Sequence, residues 1–100
     1  MARTFTTRVV LHNANWANYQ VLYDEMAKLK FTDEIRGDNG VVYKMPDGEY
    51  TSWGDLTAVQ VRDLASAAAV KTGKPFAVFV TEAVQQCWVG LPVVATARRA

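Results

Sequence analysis

The chain has 100 residues, of which 50% are hydrophobic and 21% are charged, so it has the size of one domain and is too apolar to be disordered. Its formal net charge of +1 argues against a duplex-DNA-binding domain, and one cysteine with one histidine excludes an internal disulfide and a Cys/His zinc site. No apolar run approaches the ~20 residues of a membrane-spanning helix, so we expect a soluble cytoplasmic protein with no cofactor and no metal.

The first two predicted elements are a strand and a helix. Thr4–His12 alternates and is rich in β-branched side chains, which predicts a strand with one face packed on helices. Trp16–Lys30 has large apolar side chains at helical spacing, which predicts a helix with one buried stripe. That stripe consists of Tyr19, Leu22, Tyr23, Met26 and Leu29. Either Asn13 or Asn15 is expected to cap this helix.

A β-hairpin is predicted in the middle of the chain. Phe31–Arg36 is short and mixed, and Gly37–Gly40 interrupts it. After it, Val41–Met45 and Glu49–Trp53 flank Pro46–Gly48. In this tripeptide the proline presets φ for a turn, and the glycine accepts the left-handed conformation that a bulged loop requires. We therefore expect the two flanking segments to pair with each other.

The second half of the chain predicts a helix and a final strand. Thr57 and Gln60 form a capping box before an alanine-rich helix, and Gly73 is expected to end it. The strand Phe76–Thr81 then carries apolar side chains on both faces. Since helices on one side leave the other sheet face open, either the apolar stretch Val84–Val94 or a partner subunit is expected to cover it.

The order of these elements predicts an α+β fold. Strand, helix, strand, strand, helix, strand is the order of a ferredoxin-like βαββαβ two-layer sandwich, with an antiparallel sheet and two helices on one face. We assign residues 1–100 to a single domain, with a core at 4–82, a C-terminal extension at 83–94 and a flexible tail at 95–100. We also predict a homodimer formed through the open sheet face and the C-terminal extension.

Seven side chains are candidates for chemistry on RNA. His12 is the only histidine and can act as an acid or base near neutral pH. The other candidates hold phosphates or stack on bases: Arg8, Arg36 and Lys44 for phosphates, and Tyr43, Trp53 or Tyr50 for bases. The alternative is that the charges are solvated, the aromatic rings fill the core or a dimer interface, and His12 bonds to nearby backbone.

One part of the chain, roughly Arg8–Ala65, resembles the GhoS family of small endoribonuclease antitoxins of type V toxin–antitoxin systems. The matching text is RVVLHNANWANYQVLYDEMAKLKFTDEIRGDNGVVYKMPDGEY, continued by LTAVQVRDLA. The shared features are a β-branched first strand, a helix with a Tyr/Leu/Met stripe and a Phe just past it, an Ile–x(4)–Gly step and a Pro-containing hairpin. The resemblance implies a ferredoxin-like fold related to the small nuclease of CRISPR adaptation. It also implies dimers, and selective cleavage of a toxin messenger RNA without a tightly held cofactor.

Two departures from that family bear on the activity. Metal-dependent relatives on this fold place an Asp at the end of the first strand, where this chain has Leu11–Asn13, and the first helix has no Arg, only Lys28 and Lys30 near its end. The sequence thus favours a GhoS-like RNA-binding antitoxin. Its catalytic form is a metal-independent endoribonuclease, with His12 as acid or base and Arg8 neutralising the phosphate. The alternative is a non-catalytic homodimeric protein-interaction module, of the kind that a phage or mobile element encodes.

Overall fold

The computed structural model describes residues 2–94, which form two helices and five strands. The elements are β1 (Arg3–Leu11), α1 (Trp16–Lys28), β2 (Glu34–Arg36), β3 (Val42–Lys44), β4 (Glu49–Gly54), α2 (Ala58–Val70) and β5 (Phe76–Ala83). The predicted α+β class, with two helices and antiparallel strand pairing, is confirmed, but the strands form a three-stranded and a two-stranded sheet instead of the single sheet predicted. The tail predicted at residues 95–100 lies outside the described residues.

The main sheet has three strands in the order β4-β1-β5, and both outer strands run antiparallel to β1. Thr6 of β1, for example, lies opposite Thr51 of β4 and Thr81 of β5. Alternate β1 side chains are buried on one face, as the sequence pattern predicts: Phe5, Thr7, Val9 and Leu11. The three apolar ones share one core with residues of both helices, so the helices cover the same face of the sheet.

Each helix begins with a capping box. In the first, the Asn15 side chain accepts from the Asn18 backbone N–H, and the Asn18 side chain accepts from the Asn15 backbone N–H, both at 3.0 Å. Asn15 is therefore the cap, and Trp16 stands at the first helical position. The box predicted from Thr57 and Gln60 is confirmed, with bonds of 2.8 and 3.1 Å. Within residues 2–94, neither helix is long and apolar enough to cross a membrane.

The predicted hairpin between Val41–Met45 and Glu49–Trp53 is wrong. Strand β3 pairs with β2 in a separate two-stranded sheet, and β4 pairs with β1. The connection of the observed hairpin is Gly37–Gly40, where the Gly40 N–H donates to the Gly37 carbonyl at 3.0 Å and Gly40 has a φ of 83°. The sequence Asn39-Gly40 is itself a strong turn signal, because glycine adopts positive φ at no steric cost.

The segment Pro46–Gly48 does turn the chain, with the Glu49 N–H donating to the Pro46 carbonyl at 3.0 Å and a φ of 80° at Gly48. Directly after it, the Gly48 carbonyl accepts from the Val9 N–H at 2.8 Å. This bond joins the end of the turn to β1, so the strand that follows, β4, pairs with β1 and not with β3. A turn is fixed by local chemistry, whereas the strand that follows it pairs with whichever edge buries its apolar face.

The C-terminal extension folds back over the sheet face that the helices leave open. The Gln86 side-chain amide donates to the Thr6 hydroxyl at 2.5 Å, and the Lys44 backbone N–H donates to the Pro92 carbonyl at 2.9 Å. The extension therefore continues the β2–β3 sheet and covers the part of the open face nearest β3 and β4. It does not cover β5, where Phe79 is 71% exposed.

Candidate functional site

A groove of about 630 Å³ lies between α1 and the Pro46–Gly48 turn, and we call it the α1 groove. It is lined by Arg8, Val9 and Val10 of β1, by Trp16, Tyr19, Gln20 and Tyr23 of α1, and by Asp33, Lys44, Asp47 and Gly48. The groove forms because β4 stops pairing with β1 near Glu49, which leaves the end of β1 uncovered on that side. There the Tyr19 hydroxyl accepts from the Leu11 N–H at 3.2 Å and donates to the Leu11 carbonyl at 3.3 Å.

One wall of the groove is aromatic. Trp16, Tyr19 and Tyr23 stand at positions i, i+3 and i+7 of α1, so they lie on one face of the helix. The rings of Trp16 and Tyr23 meet edge to face with centroids 6.0 Å apart, and Tyr23 packs in turn on buried Tyr50 at 6.1 Å. Trp16 is 67% exposed, so a large part of its ring is open to a ligand while the rest of the wall is held by the core.

The other walls carry two cations and two carboxylates. Arg8 lies 3.5 Å from the carboxylate of Glu49, and Lys44 lies 3.6 Å from that of Asp33. Both ion pairs are partly solvent-exposed, and exposed pairs contribute only about 0–1 kcal/mol. An incoming anion therefore competes with Glu49 and Asp33 at small cost. Asp47 supplies the second carboxylate of the groove.

The protonation of Tyr23 reflects these acidic neighbours. Burial raises the pKa of the Tyr23 phenol, and the negative charges of Asp47 and Asp33 raise it further. Since an unperturbed phenol already titrates near pH 10, Tyr23 is a protonated hydrogen-bond donor at neutral pH. The groove thus presents a hydroxyl donor, two cations and two acceptor carboxylates around an aromatic wall.

The structure separates the predicted site residues: Tyr50 is buried in the core, and the other six side chains fall into three groups. Arg8 and Lys44 come together in the α1 groove. Arg36 and Trp53 line a different cavity, of about 570 Å³, on the side of the sheet away from the helices.

The remaining two stand apart from both cavities. Tyr43 packs edge to face on Trp88 of the C-terminal extension, with ring centroids 5.6 Å apart. His12 is exposed just beyond β1, and its backbone N–H donates to the Pro75 carbonyl at 2.8 Å. At about 3.3 Å per residue of strand, the Cα atoms of Arg8 and His12 are roughly 13 Å apart. Their joint action on one phosphate stays a prediction. Within residues 2–94, no group of three or more His, Cys, Asp or Glu side chains is placed to hold a metal ion.

The aromatic wall is the part of the site that sequence reasoning missed. Of the stripe predicted to be buried on α1, Leu22 and Met26 are buried, whereas Tyr19 and Tyr23 are only partly buried and turn one edge toward the groove. The available signal was Trp16, three residues before Tyr19 and seven before Tyr23. At this spacing Trp16 lies on the same helix face as the two tyrosines. The aromatic stripe therefore begins one turn before the buried residues, outside the core.

Comparison with protein-family models and with curated proteins finds no match for this chain.

Proposed function

We propose that this protein is a GhoS-like RNA-binding antitoxin whose α1 groove holds a short single-stranded RNA segment. The proposal is supported by one observation: Arg8 and Lys44 line the same groove as an exposed aromatic wall. Stacking on aromatic rings contributes about 1–3 kcal/mol per base, and cations beside the rings hold the phosphates. The carboxylates of Asp33 and Asp47 can accept hydrogen bonds from base amino groups, which a single strand leaves free.

The strand order supports the ferredoxin-like part of the proposal. Since β4 and β5 both run antiparallel to β1, they are parallel to each other, and α2 connects them with β1 lying between. This is a split βαβ unit. On the other side of β4, Thr32 forms an isolated antiparallel bridge with Thr51. The start of the β2 segment thus takes the place of a fourth strand, and β3 is an addition to the simple pattern.

Lys44→Ala is expected to weaken the binding of a short single-stranded RNA. One phosphate contact is lost, so the slope of log K against log salt concentration should become shallower by about 0.7. The measurement is fluorescence polarisation with a labelled oligonucleotide over a series of salt concentrations. Lys71→Ala removes the same charge at the exposed end of α2, away from the groove, and should leave the slope unchanged. Equal slopes for the two variants would place the RNA elsewhere.

The catalytic part of the proposal is a metal-independent cleavage. The 2′-hydroxyl loses its proton and its oxygen attacks the adjacent phosphorus, and the bond to the 5′-oxygen breaks as that oxygen is protonated. His12 serves as acid or base, and Arg8 neutralises the phosphate. In EDTA the wild type should cut a structured RNA, and His12→Ala should cut about 10²–10⁴-fold more slowly.

The same variant separates cutting from binding. His12 does not line the groove, so His12→Ala should bind RNA as the wild type does. If the wild type cuts nothing in EDTA, or the variant cuts equally fast, the catalytic part is wrong, while the binding part is judged by Lys44→Ala.

The second candidate function is a non-catalytic homodimeric protein-interaction module. Two observations favour it: each cation of the groove already has an acidic neighbour, and several large apolar side chains are exposed. Those side chains include Trp53, Phe79, Val84, Val89 and Val93. RNA binding weakens steeply as the salt concentration rises, whereas an apolar protein contact responds little. The affinity for the bound partner, measured at several salt concentrations, therefore distinguishes the two candidates.

A further inference from the structure

Strand β5 is an edge of the main sheet whose outer side has no partner strand within residues 2–94. Its eight residues run from Phe76 to Ala83, and the first six, Phe76–Thr81, carry no charge. Edge strands expose a row of backbone N–H and C=O groups, which proteins usually protect with charges, prolines, bulges or a covering segment. Here a proline and a lysine stand before the strand and one glutamate stands near its end, so its middle is unprotected.

Two open-face side chains in the first half of β5 are apolar as well. Ala77 and Phe79 lie on the face away from the helices, because their β1 partners Val10 and Arg8 alternate with the buried set. Phe79 is 71% exposed, since the C-terminal extension covers only the opposite side of that face. The edge and the adjoining apolar side chains form one continuous surface, which we call the β5 edge.

We propose that a second copy of this chain pairs with the β5 edge, strand against strand and antiparallel about Val78. The contact is isologous, because an antiparallel strand pairs with itself about a two-fold axis. It joins the three-stranded main sheets of the two copies into one six-stranded sheet, with all four helices on one side. This inference goes beyond RNA binding and does not depend on it. It also differs from the dimer predicted from the sequence, since the strand edge and not the sheet face is the interface.

Charge and shape select this register. Directly opposed residues of an antiparallel pair have their side chains on the same face of the sheet. All four helices therefore stay on one side only if the two-fold axis passes through a residue of β5, and not between two residues. With Val78 on the axis, Lys74 lies opposite Glu82 of the second copy, and large Phe79 lies opposite small Ala77. With Phe79 on the axis instead, the two phenyl rings oppose each other and Glu82 faces Phe76.

The two charges are available for this contact. Glu82 lies 3.9 Å from Arg3 in its own chain, and its side chain is about half exposed, so it can accept a second cation. Lys74 is partly exposed just before the strand. The symmetric contact forms the Lys74–Glu82 pair twice. Cross-strand pairs of opposite charge contribute roughly 0.2–1 kcal/mol each, which for two pairs corresponds to roughly 2- to 30-fold in the dimer dissociation constant.

The test is the mass of the full chain in solution, measured by sedimentation equilibrium over a wide range of protein concentration. The wild type should dimerise, and Phe79→Glu should raise the dissociation constant by roughly 2- to 30-fold, because the two cross-strand contacts between Phe79 and Ala77 are lost and the two added carboxylates lie on the same face of the joined sheet. Trp53→Glu is the matched control, since Trp53 is 68% exposed on the same sheet face but lies on β4. Thermal unfolding of each variant confirms that the chain itself is intact.

A charge exchange tests the register. Glu82→Lys alone, or Lys74→Glu alone, should weaken the dimer by roughly 2- to 30-fold, and the double variant should restore it. A wild type that stays monomeric at high concentration overturns the proposal. So does a dimer that Trp53→Glu dissociates and Phe79→Glu does not, which would place the interface on the open face. A double variant as weak as the single variants overturns the register about Val78.

Discussion

Replacing Trp16 by alanine is expected to weaken binding of a short single-stranded RNA by roughly 5- to 150-fold, which corresponds to one stacked base at about 1–3 kcal/mol. The ring is 67% exposed and contacts the aromatic wall through Tyr23, so its loss removes stacking surface and leaves the core intact. Alanine is also a good helix former at this position. The measurement is fluorescence polarisation with a labelled oligonucleotide at fixed salt, and circular dichroism checks the helix content.

Trp53→Ala is the matched control for this experiment. The two tryptophans have nearly the same exposure, 67% and 68%, but Trp53 lies on β4 and lines the cavity on the other side of the sheet. If the α1 groove holds the RNA, the Trp53 variant binds as the wild type does. The reverse result would move the RNA to the cavity of Arg36 and Trp53, both of which the sequence predicts as RNA-binding residues.

Leu22→Ala is expected to lower the free energy of unfolding by about 2–5 kcal/mol, because Leu22 is fully buried and the lost methyl groups leave a cavity. Domains of this kind have a total stability of only about 5–15 kcal/mol. The variant should therefore unfold at a much lower denaturant concentration than the wild type. Urea unfolding followed by tryptophan fluorescence measures the change.

Val21→Ala serves as the control, since Val21 is the preceding residue of α1 and is exposed. It should change the free energy of unfolding by no more than about 0.5 kcal/mol. If the two variants are equally stable, α1 does not pack on the sheet through the face that contains Leu22. The placement of the aromatic wall would then be wrong as well, because the rotation of α1 about its own axis determines both which side chains enter the core and which line the groove.

The elements that could be predicted from the sequence are those with a local signal. The capping box of Thr57 and Gln60 fixes the start of α2 by hydrogen bonds among four consecutive residues, and alternation in β1 fixes which side chains enter the core. The pairing of β3 could not be predicted in the same way. Two turn sequences, Gly37–Gly40 and Pro46–Gly48, compete in that region, and both are turns in the structure.

Only long-range contacts decide between those two turns. The bond from the Val9 N–H to the Gly48 carbonyl directs β4 to β1, and the bond from the Lys44 N–H to the Pro92 carbonyl occupies the free edge of β3. Neither contact can be predicted from the residues around the turns. The candidate site has the same limitation, because Arg8, Lys44 and Trp16 come from three separate elements.

The central position of β1 has a consequence for the synthesis of the chain. This strand is translated before both of its neighbours, and β5 follows it only after both helices and the other three strands. Until then, one side of β1 stays without its backbone partner, and such distant pairings are slow to form. The main sheet is thus expected to be complete only after β5 has been translated.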